Sequence, residues 1–189
     1  ISLLLVLLVT AAVFWFGQPA SFRGTSYGEP YPPATPFELT RADGQPFRLA
    51  DQRGKIVLLF FGYTACPDVC PTTLSRAVEV RKLLGADADK VQVVLVTVDP
   101  ERDTPEVLRG YVTAFDPSFI ALRGDASSTA AMAKEFKVFF QKVPTSGSYT
   151  MDHTAVTYAF DPKGRLRLVL RHEQSAADVA ADLKILLNE

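Results

Sequence analysis

Cysteine, histidine and excess charge are all scarce in this chain of 189 residues. It contains two cysteines and two histidines, and its formal net charge is -1. Small secreted proteins held together by disulfides need several cysteines, so this chain is not one of them. A near-neutral chain has no basic footprint for nucleic acid, so we expect no nucleic-acid partner. Internal repeats and low-complexity tracts are absent as well. The two cysteines therefore form either one bridge or a working dithiol.

The chain has enough apolar residues for an ordinary packed core, and its first 17 residues form a separate, uncharged apolar stretch. Hydrophobic residues make up 48% of the chain and charged residues 22%. Residues 1–17 carry no charge, and Trp15 and Phe16 suit a membrane interface. As a helix, residues 1–16 would span roughly 24 Å, slightly less than the hydrocarbon core. Because the chain begins at Ile rather than Met, we expect further residues upstream.

We predict that residues 1–17 form a single transmembrane anchor. A cleaved secretory signal is the rival, but no A-x-A site follows the segment. A buried core helix is the other alternative, although the segment has no polar face. Residues 18–36 contain five prolines and are predicted to be a linker. Phe22, Tyr27 and Tyr31 of this linker could instead pack on the domain that we predict over residues 37–189.

From Phe37 onward, strand and helix patterns alternate. Short apolar runs flank Asp43-Gly44 and predict an N-terminal β-hairpin. Helices are predicted after the cysteines, after a cap at Asp103, from Ser127 or Ser128, and over Ser175–Leu187. Strands are predicted over Ile56–Phe61, Val91–Val98, Phe119–Leu122, Ala155–Phe160 and Leu166–Leu170. This order predicts an α/β, thioredoxin-like domain: a central mixed sheet flanked by helices, with the hairpin added at its N-terminus.

The two cysteines stand in the run Cys66-Pro67-Asp68-Val69-Cys70-Pro71, directly after a predicted buried strand. At a helix start, positions i and i+4 project to the same side, and the free N–H groups favour thiolate. A structural disulfide would close too short a loop to stabilise the fold much. Thioredoxin-type dithiols have one residue fewer between the cysteines. The longer spacing suits chelation, and Asp68 could tune the thiolates or simply cap the helix.

A metal needs more ligands than two thiols. His153 precedes the strand Ala155–Phe160, and in a thioredoxin-like fold that entry lies against the dithiol. Two thiolates and one imidazole suit Cu(I) and are acceptable to Cu(II), whereas structural zinc usually takes four ligands. Met151 could donate a thioether or be a core residue. Asp152 could orient His153 as an outer hydrogen-bond acceptor or cap a turn. His172 is interpreted as a solvated residue.

At this point the sequence resembles a known family. Residues 60–74, which read FFGYTACPDVCPTTL, look like the signature of the Sco/SenC copper-binding proteins. Residues 98–105, 149–154 and 158–164 are also similar to that family. The resemblance implies a thioredoxin-like domain that binds one copper, as Cu(I) or Cu(II), through Cys66, Cys70 and His153. It further implies a role in delivering copper to the binuclear copper site of cytochrome c oxidase, or in reducing the cysteines of that site.

Several partners and functions follow from this resemblance. The expected partners are the copper-bearing oxidase subunit, a copper-donor protein, a thiol reductase and, through the anchor, the membrane. The expected location is the inner (cytoplasmic) membrane with the domain facing the periplasm, or the mitochondrial intermembrane space in a eukaryote.

A thiol–disulfide oxidoreductase would need Cys66 and Cys70 but not His153. A peroxiredoxin-like peroxidase is disfavoured because Cys66-Pro67 lacks the usual surroundings of a peroxidatic thiol. A copper-responsive sensor is a further alternative.

Overall fold

The computed structural model describes residues 21–31 and 37–189. The anchor predicted for residues 1–17 lies outside these residues. Among the helices in the described ranges, none has the length and apolar character needed to cross a membrane.

A mixed sheet of eight strands forms the centre of the described domain. The strands are β1 Thr25–Ser26, β2 Glu38–Arg41, β3 Pro46–Arg48, β4 Ile56–Gly62, β5 Val91–Thr97, β6 Ile120–Arg123, β9 Val156–Phe160 and β10 Leu166–Arg171. Their spatial order is β1-β10-β9-β4-β5-β6-β2-β3, and β4, β5 and β6 are parallel while the other pairs are antiparallel. Every residue of β4 and β5 is buried, as expected for strands covered on both faces.

Four α-helices accompany this sheet in the described residues. The helices are α1 Val69–Leu84, α2 Pro105–Thr113, α3 Ala126–Glu135 and α4 Ala176–Leu187, and short 3-10 helices cover Leu49–Gln52 and Gly85–Lys90. Helix α1 packs against α4, and α2 packs against β6. The predicted central mixed sheet with flanking helices is thus confirmed. The predicted hairpin is also present as β2 and β3, whose turn contains Gly44 at φ 86°.

The second sheet is a hairpin that the sequence patterns did not predict. It consists of β7, Phe140–Thr145, and β8, Ser148–His153. His153 therefore ends a strand, paired with Phe140, instead of lying in a loop before β9. Most residues of β7 and β8 are at least partly exposed, so no apolar alternation marked them.

Two predicted helix caps are wrong by one to three residues. Thr104, not Asp103, caps α2, and Asp103 is fully buried. Asp125 caps α3, where the sequence suggested Ser127 or Ser128. In both cases the capping residue has extended backbone directly before the first helical residue, the geometry that lets its side-chain oxygen reach the next free N–H groups.

The described part of the predicted linker packs on the domain. Strand β1 pairs with β10 at the sheet edge. The carboxylate of Asp182, fully buried on α4, accepts hydrogen bonds from the backbone N–H groups of Arg23 and Gly24 at 2.9 and 2.7 Å. These bonds and the pairing of β1 with β10 hold residues 23–26 at the edge of the sheet, whereas a freely solvated linker would have no such partners.

Aromatic residues of the same segment cover a buried arginine. The guanidinium carbon of Arg167 lies 5.6 Å from the ring centre of Phe22 and 4.0 Å from that of Tyr31. Arg167 is 1% exposed and forms ion pairs with Asp161 and Glu189. The packing alternative for Phe22 and Tyr31 is therefore confirmed.

Candidate metal centre

The first part of the site is the segment from the end of β4 into the first turn of α1, residues 63–70, which we call the cysteine arm. Strand β4 ends at Gly62, and α1 begins at Val69, so Cys70 lies in the first turn of the helix. Both thiols are free; Cys66 is partly buried and Cys70 is fully buried. The backbone N–H of Cys70 donates a hydrogen bond to Cys66 Sγ at 3.4 Å. The helix start thus directs an unpaired N–H at the outer sulfur.

The second part is β8, which we call the histidine arm. Its last residue, His153, places Nε2 3.5 Å from Cys70 Sγ. The ligand atoms of Cys66, Cys70 and His153 all lie within 4.8 Å of one another. The carbonyl oxygen of Thr154 lies 3.2 Å from Nδ1. If Nδ1 carries the proton, it donates a hydrogen bond to that carbonyl. The unprotonated Nε2 then faces the thiols with a lone pair that can bind a metal.

The two thiols are electrostatically different. A hydrogen bond from the Cys70 thiol lowers the pKa of Cys66 to about 3, with His153 and backbone N–H groups adding to the effect and burial opposing it. The same hydrogen bond and burial raise the pKa of Cys70. The pair therefore holds one partly buried thiolate, on Cys66, and one fully buried, protonated thiol, on Cys70, at neutral pH.

Gly62 provides the room that the inner thiol occupies. A Cβ atom at this position would lie 2.6 Å from Cys70 Sγ, well inside van der Waals contact. It would also lie 3.2 Å from the side chain of Leu95 and 3.4 Å from that of Phe60. The last residue of β4 must therefore lack a side chain for Cys70 to sit at this place.

Comparisons with known proteins agree with this geometry. The family model for SCO1/SenC matches residues 26–188. The chain belongs to the SCO1/SenC family. The SCO2-like protein RP587 of Rickettsia prowazekii is 39% identical over 133 residues, which cover 69% of this chain. The match spans 65% of the length of that Rickettsia protein.

Solved structures give the same fold. The structure of Bradyrhizobium japonicum ScoI with copper bound is 44% identical, with a TM-score of 0.73, and the match covers 79% of this chain and 96% of that chain. The solution structure of apo Sco1 from Thermus thermophilus is 40% identical, with a TM-score of 0.76, and the match covers 89% of this chain and 98% of that chain. The thioredoxin-like α/β fold of this SCO1/SenC chain is thereby confirmed.

Tyr63 is a residue of the site that sequence reasoning did not single out. It is 1% exposed and joins the two arms of this SCO1/SenC site. Its hydroxyl accepts a hydrogen bond from the Met151 N–H at 3.3 Å and lies 2.7 Å from Thr150 Oγ1. Its ring stands edge-on to His153, with ring centres 5.8 Å apart. The sequence signals were an aromatic residue between a buried strand and the cysteines, and its place in the family-like run of residues 60–74.

Four further residues were considered from the sequence as possible parts of the site or its surroundings: Asp68, Asp152, Met151 and His172. Asp68 is exposed at the N-cap of α1, and its carboxylate accepts a hydrogen bond from Thr72 Oγ1 at 3.2 Å. Asp152 is exposed, whereas Met151 is 5% exposed and lines a cavity beside α3. The outer-acceptor role of Asp152 stays a prediction, as does the tuning role of Asp68. His172 lies in the turn after β10 and is partly buried, so it is solvated only in part.

The donor set decides which metals fit the site. Two sulfurs and one imidazole nitrogen are soft ligands, which suit Cu(I) better than hard oxygen-seeking ions. Three protein ligands within 4.8 Å of one another leave room for a ligand from another molecule. The arrangement can also form a disulfide between Cys66 and Cys70, because both sulfurs belong to that same cluster.

Proposed function

We propose that this chain is a copper metallochaperone that carries one copper ion on Cys66, Cys70 and His153. The single observation that carries the proposal is the convergence of two sulfurs and one imidazole nitrogen within 4.8 Å. That donor set matches a soft cargo ion. The family membership supports the same ion, since copper is bound in the Bradyrhizobium relative described above.

Loading and redox state are linked at this site. A thiol binds metal as the thiolate, so Cys66 is ready at neutral pH while Cys70 must release a proton on loading. A disulfide between the two cysteines offers no thiolate, so oxidation blocks loading. The chain therefore needs a thiol reductase as a partner in an oxidising compartment, as well as a copper-donor protein.

Release follows from the origin of the ligands in two separate arms. Thiolates of a receiving protein can displace Cys66, which is partly exposed, before the buried Cys70. The family resemblance implies that the receiver is the copper-bearing subunit of cytochrome c oxidase. We also propose that residues 1–17 anchor the chain in the inner membrane with the domain facing the periplasm, or the intermembrane space of a mitochondrion. The uncharged apolar composition of these residues supports the anchor.

A second candidate function is favoured by the unequal thiols. The Cys66 thiolate could attack one sulfur of a partner disulfide, forming a mixed disulfide and releasing the other partner sulfur as thiolate. Cys70 would then lose its proton to solvent and attack Cys66 Sγ. The mixed disulfide would break, the second partner thiolate would leave, and a Cys66–Cys70 disulfide would remain. Two electrons would pass to the partner, which could be the oxidase copper site with oxidised cysteines.

The substitution His153→Ala separates these two functions. Residues that only support a metal ligand are worth about 10–100-fold in metal affinity, so loss of a direct ligand should cost at least about 100-fold. We expect this loss in a competition between the reduced chain and a Cu(I) chelator. The rate of thiol–disulfide exchange should stay near that of the unaltered chain, because exchange needs only the two thiols.

His172→Ala is the matched control, since it removes the other histidine in the described residues and should leave Cu(I) affinity unchanged. If the unaltered reduced chain binds no Cu(I) above background, the metallochaperone proposal is wrong. If His153→Ala reduces copper affinity and exchange equally, the two functions do not separate as proposed, and His153 is not acting as a ligand alone.

A further inference from the structure

One motif has no part in the ligand set. Residues 98–105, which follow β5, resemble the family pattern, yet the three candidate ligands all come from elsewhere. In the parallel pair of β4 and β5, Gly62 is opposite Thr97. The cysteine arm and the loop after β5 therefore leave the sheet side by side. This loop, residues 99–103, touches both arms of the site.

At its end, the loop holds the cysteine arm. The carboxylate of Asp103, fully buried, accepts hydrogen bonds from the backbone N–H of Thr64 at 3.2–3.3 Å and from its hydroxyl at 2.6 Å. It also accepts one from Thr97 Oγ1 at 2.5 Å. Thr64 stands two residues before Cys66, so Asp103 fixes the chain just ahead of the outer thiol.

At its start, the loop holds the histidine arm. The hydroxyl of Tyr149 donates to Asp99 at 2.8 Å, and Arg102 Nη1 donates to the Tyr149 carbonyl at 2.8 Å. The Arg102 guanidinium carbon lies 3.7 Å from the Tyr149 ring centre, within cation–π range. Asp99, 1% exposed, forms an ion pair with Arg102. Tyr149 lies on β8, four residues before His153.

These contacts matter because the hairpin has no strand partner in the main sheet. Strands β7 and β8 pair only with each other among the described strands. An isolated two-stranded hairpin is marginally stable, and nothing in its ladder fixes where His153 lies relative to the thiols. Besides the short connection from His153 to β9, that position depends on side-chain contacts, and Tyr149 makes several of them.

We propose that residues 99–103 form a bracket that sets the separation between the thiols and His153. Asp103 positions the cysteine arm, while Asp99 and Arg102 position the histidine arm through Tyr149. These are positioning residues, since none of them reaches the ligand cluster. The copper part of this inference rests on the proposed function, but the positioning part concerns the metal-free chain.

Two mild variants test the histidine half of the bracket. Tyr149→Phe removes only the hydroxyl that Asp99 accepts, and Arg102→Lys keeps the charge but loses the planar fork. In the metal-free chain, the Met151 amide reports on docking, because it donates to Tyr63 across the two arms. Loss of one hydrogen bond should speed its hydrogen exchange about fivefold, measured by NMR. Tyr158→Phe is the control, because it removes a tyrosine hydroxyl that donates a hydrogen bond to the backbone carbonyl of Phe136 at 2.6 Å.

A double-mutant cycle tests whether the bracket acts through His153. Cu(I) affinity, measured by chelator competition, should fall about fivefold in Tyr149→Phe and Arg102→Lys. In the His153→Ala background, the same variants should cause no further loss, because their effects share one ligand. Tyr158→Phe should leave both measurements unchanged.

Two results would overturn the bracket. One is unchanged exchange of the Met151 amide in both variants. The other is an equal loss of Cu(I) affinity with and without His153, which would indicate general destabilisation. If the unaltered chain binds no Cu(I), the proposed function fails instead, and the metal-free exchange measurement alone decides the positioning role.

Discussion

The room that Gly62 leaves for Cys70 gives the sharpest stability prediction. In Gly62→Ala the new methyl group would lie 2.6 Å from Cys70 Sγ. Ordinary contacts between non-bonded heavy atoms are about 3.5–4.0 Å, so the sulfur must move by about 1 Å. Overpacking of this kind costs about 1–3 kcal/mol, because the buried surroundings cannot yield freely. For a domain of this size, that loss lowers the melting temperature by about 2–12 °C.

The assay is thermal and urea unfolding of the reduced chain, followed by circular dichroism. Gly110→Ala is the matched control, because a Cβ there has no neighbour within 4 Å and the residue lies in α2. It should stabilise the chain by about 0.5–1 kcal/mol. The Cys70→Ala background removes the sulfur, so Gly62→Ala should then cost less than about 1 kcal/mol, from Leu95 and Phe60.

Two results would contradict the close confinement of the Cys70 sulfur by Gly62. If Gly62→Ala unfolds at the temperature of the unaltered chain, the sulfur is not confined as the structure indicates. If the cost of Gly62→Ala is the same with and without the Cys70 thiol, then the crowding comes from other atoms.

Two further predictions concern the outer thiol and the N-terminal segment. Because the pKa of Cys66 is about 3, its thiolate fraction should stay constant between about pH 5 and 8, so its alkylation rate should be flat by mass spectrometry. A tenfold rise per pH unit, typical of an ordinary cysteine, would contradict the lowered pKa. Asp182→Ala should lower the free energy of unfolding, measured with urea, by about 1.5–3 kcal/mol, since two N–H groups lose a charged acceptor. It should also speed trypsin cleavage after Arg23. Asp178→Asn, at an exposed ion pair with Arg23, should lower the free energy of unfolding by less than about 1 kcal/mol. Equal effects of the two substitutions would show that the buried carboxylate of Asp182 does not hold this segment.

The buried strands and the thiols could be predicted from the sequence. The apolar runs Ile56–Phe61 and Val91–Val98 differ from β4 and β5 by one residue each, because strands covered on both faces are continuously apolar. The helix after the cysteines was also predictable, because Leu74, Ala77, Val78 and Leu84 form an apolar stripe at helical spacing. These signals are local, and the local pattern agrees with the packing.

The histidine arm could not be predicted in the same way. Strand β7 contains Pro144 and several polar residues, and β8 is partly exposed, so the hairpin has no alternating apolar pattern. His153 was identified through topology and the family resemblance, which did not reveal that it ends a strand. Its position depends on contacts such as Tyr63 with Thr150, which are 87 residues apart in the chain. A single sequence carries no signal for contacts at that separation.

The proposed site requires that Cys66, Cys70 and His153 hold one copper ion together. X-ray absorption at the copper edge can be measured on the reduced chain loaded with one equivalent of Cu(I). We expect two sulfur neighbours and one imidazole nitrogen, with the nitrogen lost in His153→Ala. Copper without a sulfur pair, or a nitrogen neighbour that persists in His153→Ala, would show that these three residues do not share the ion.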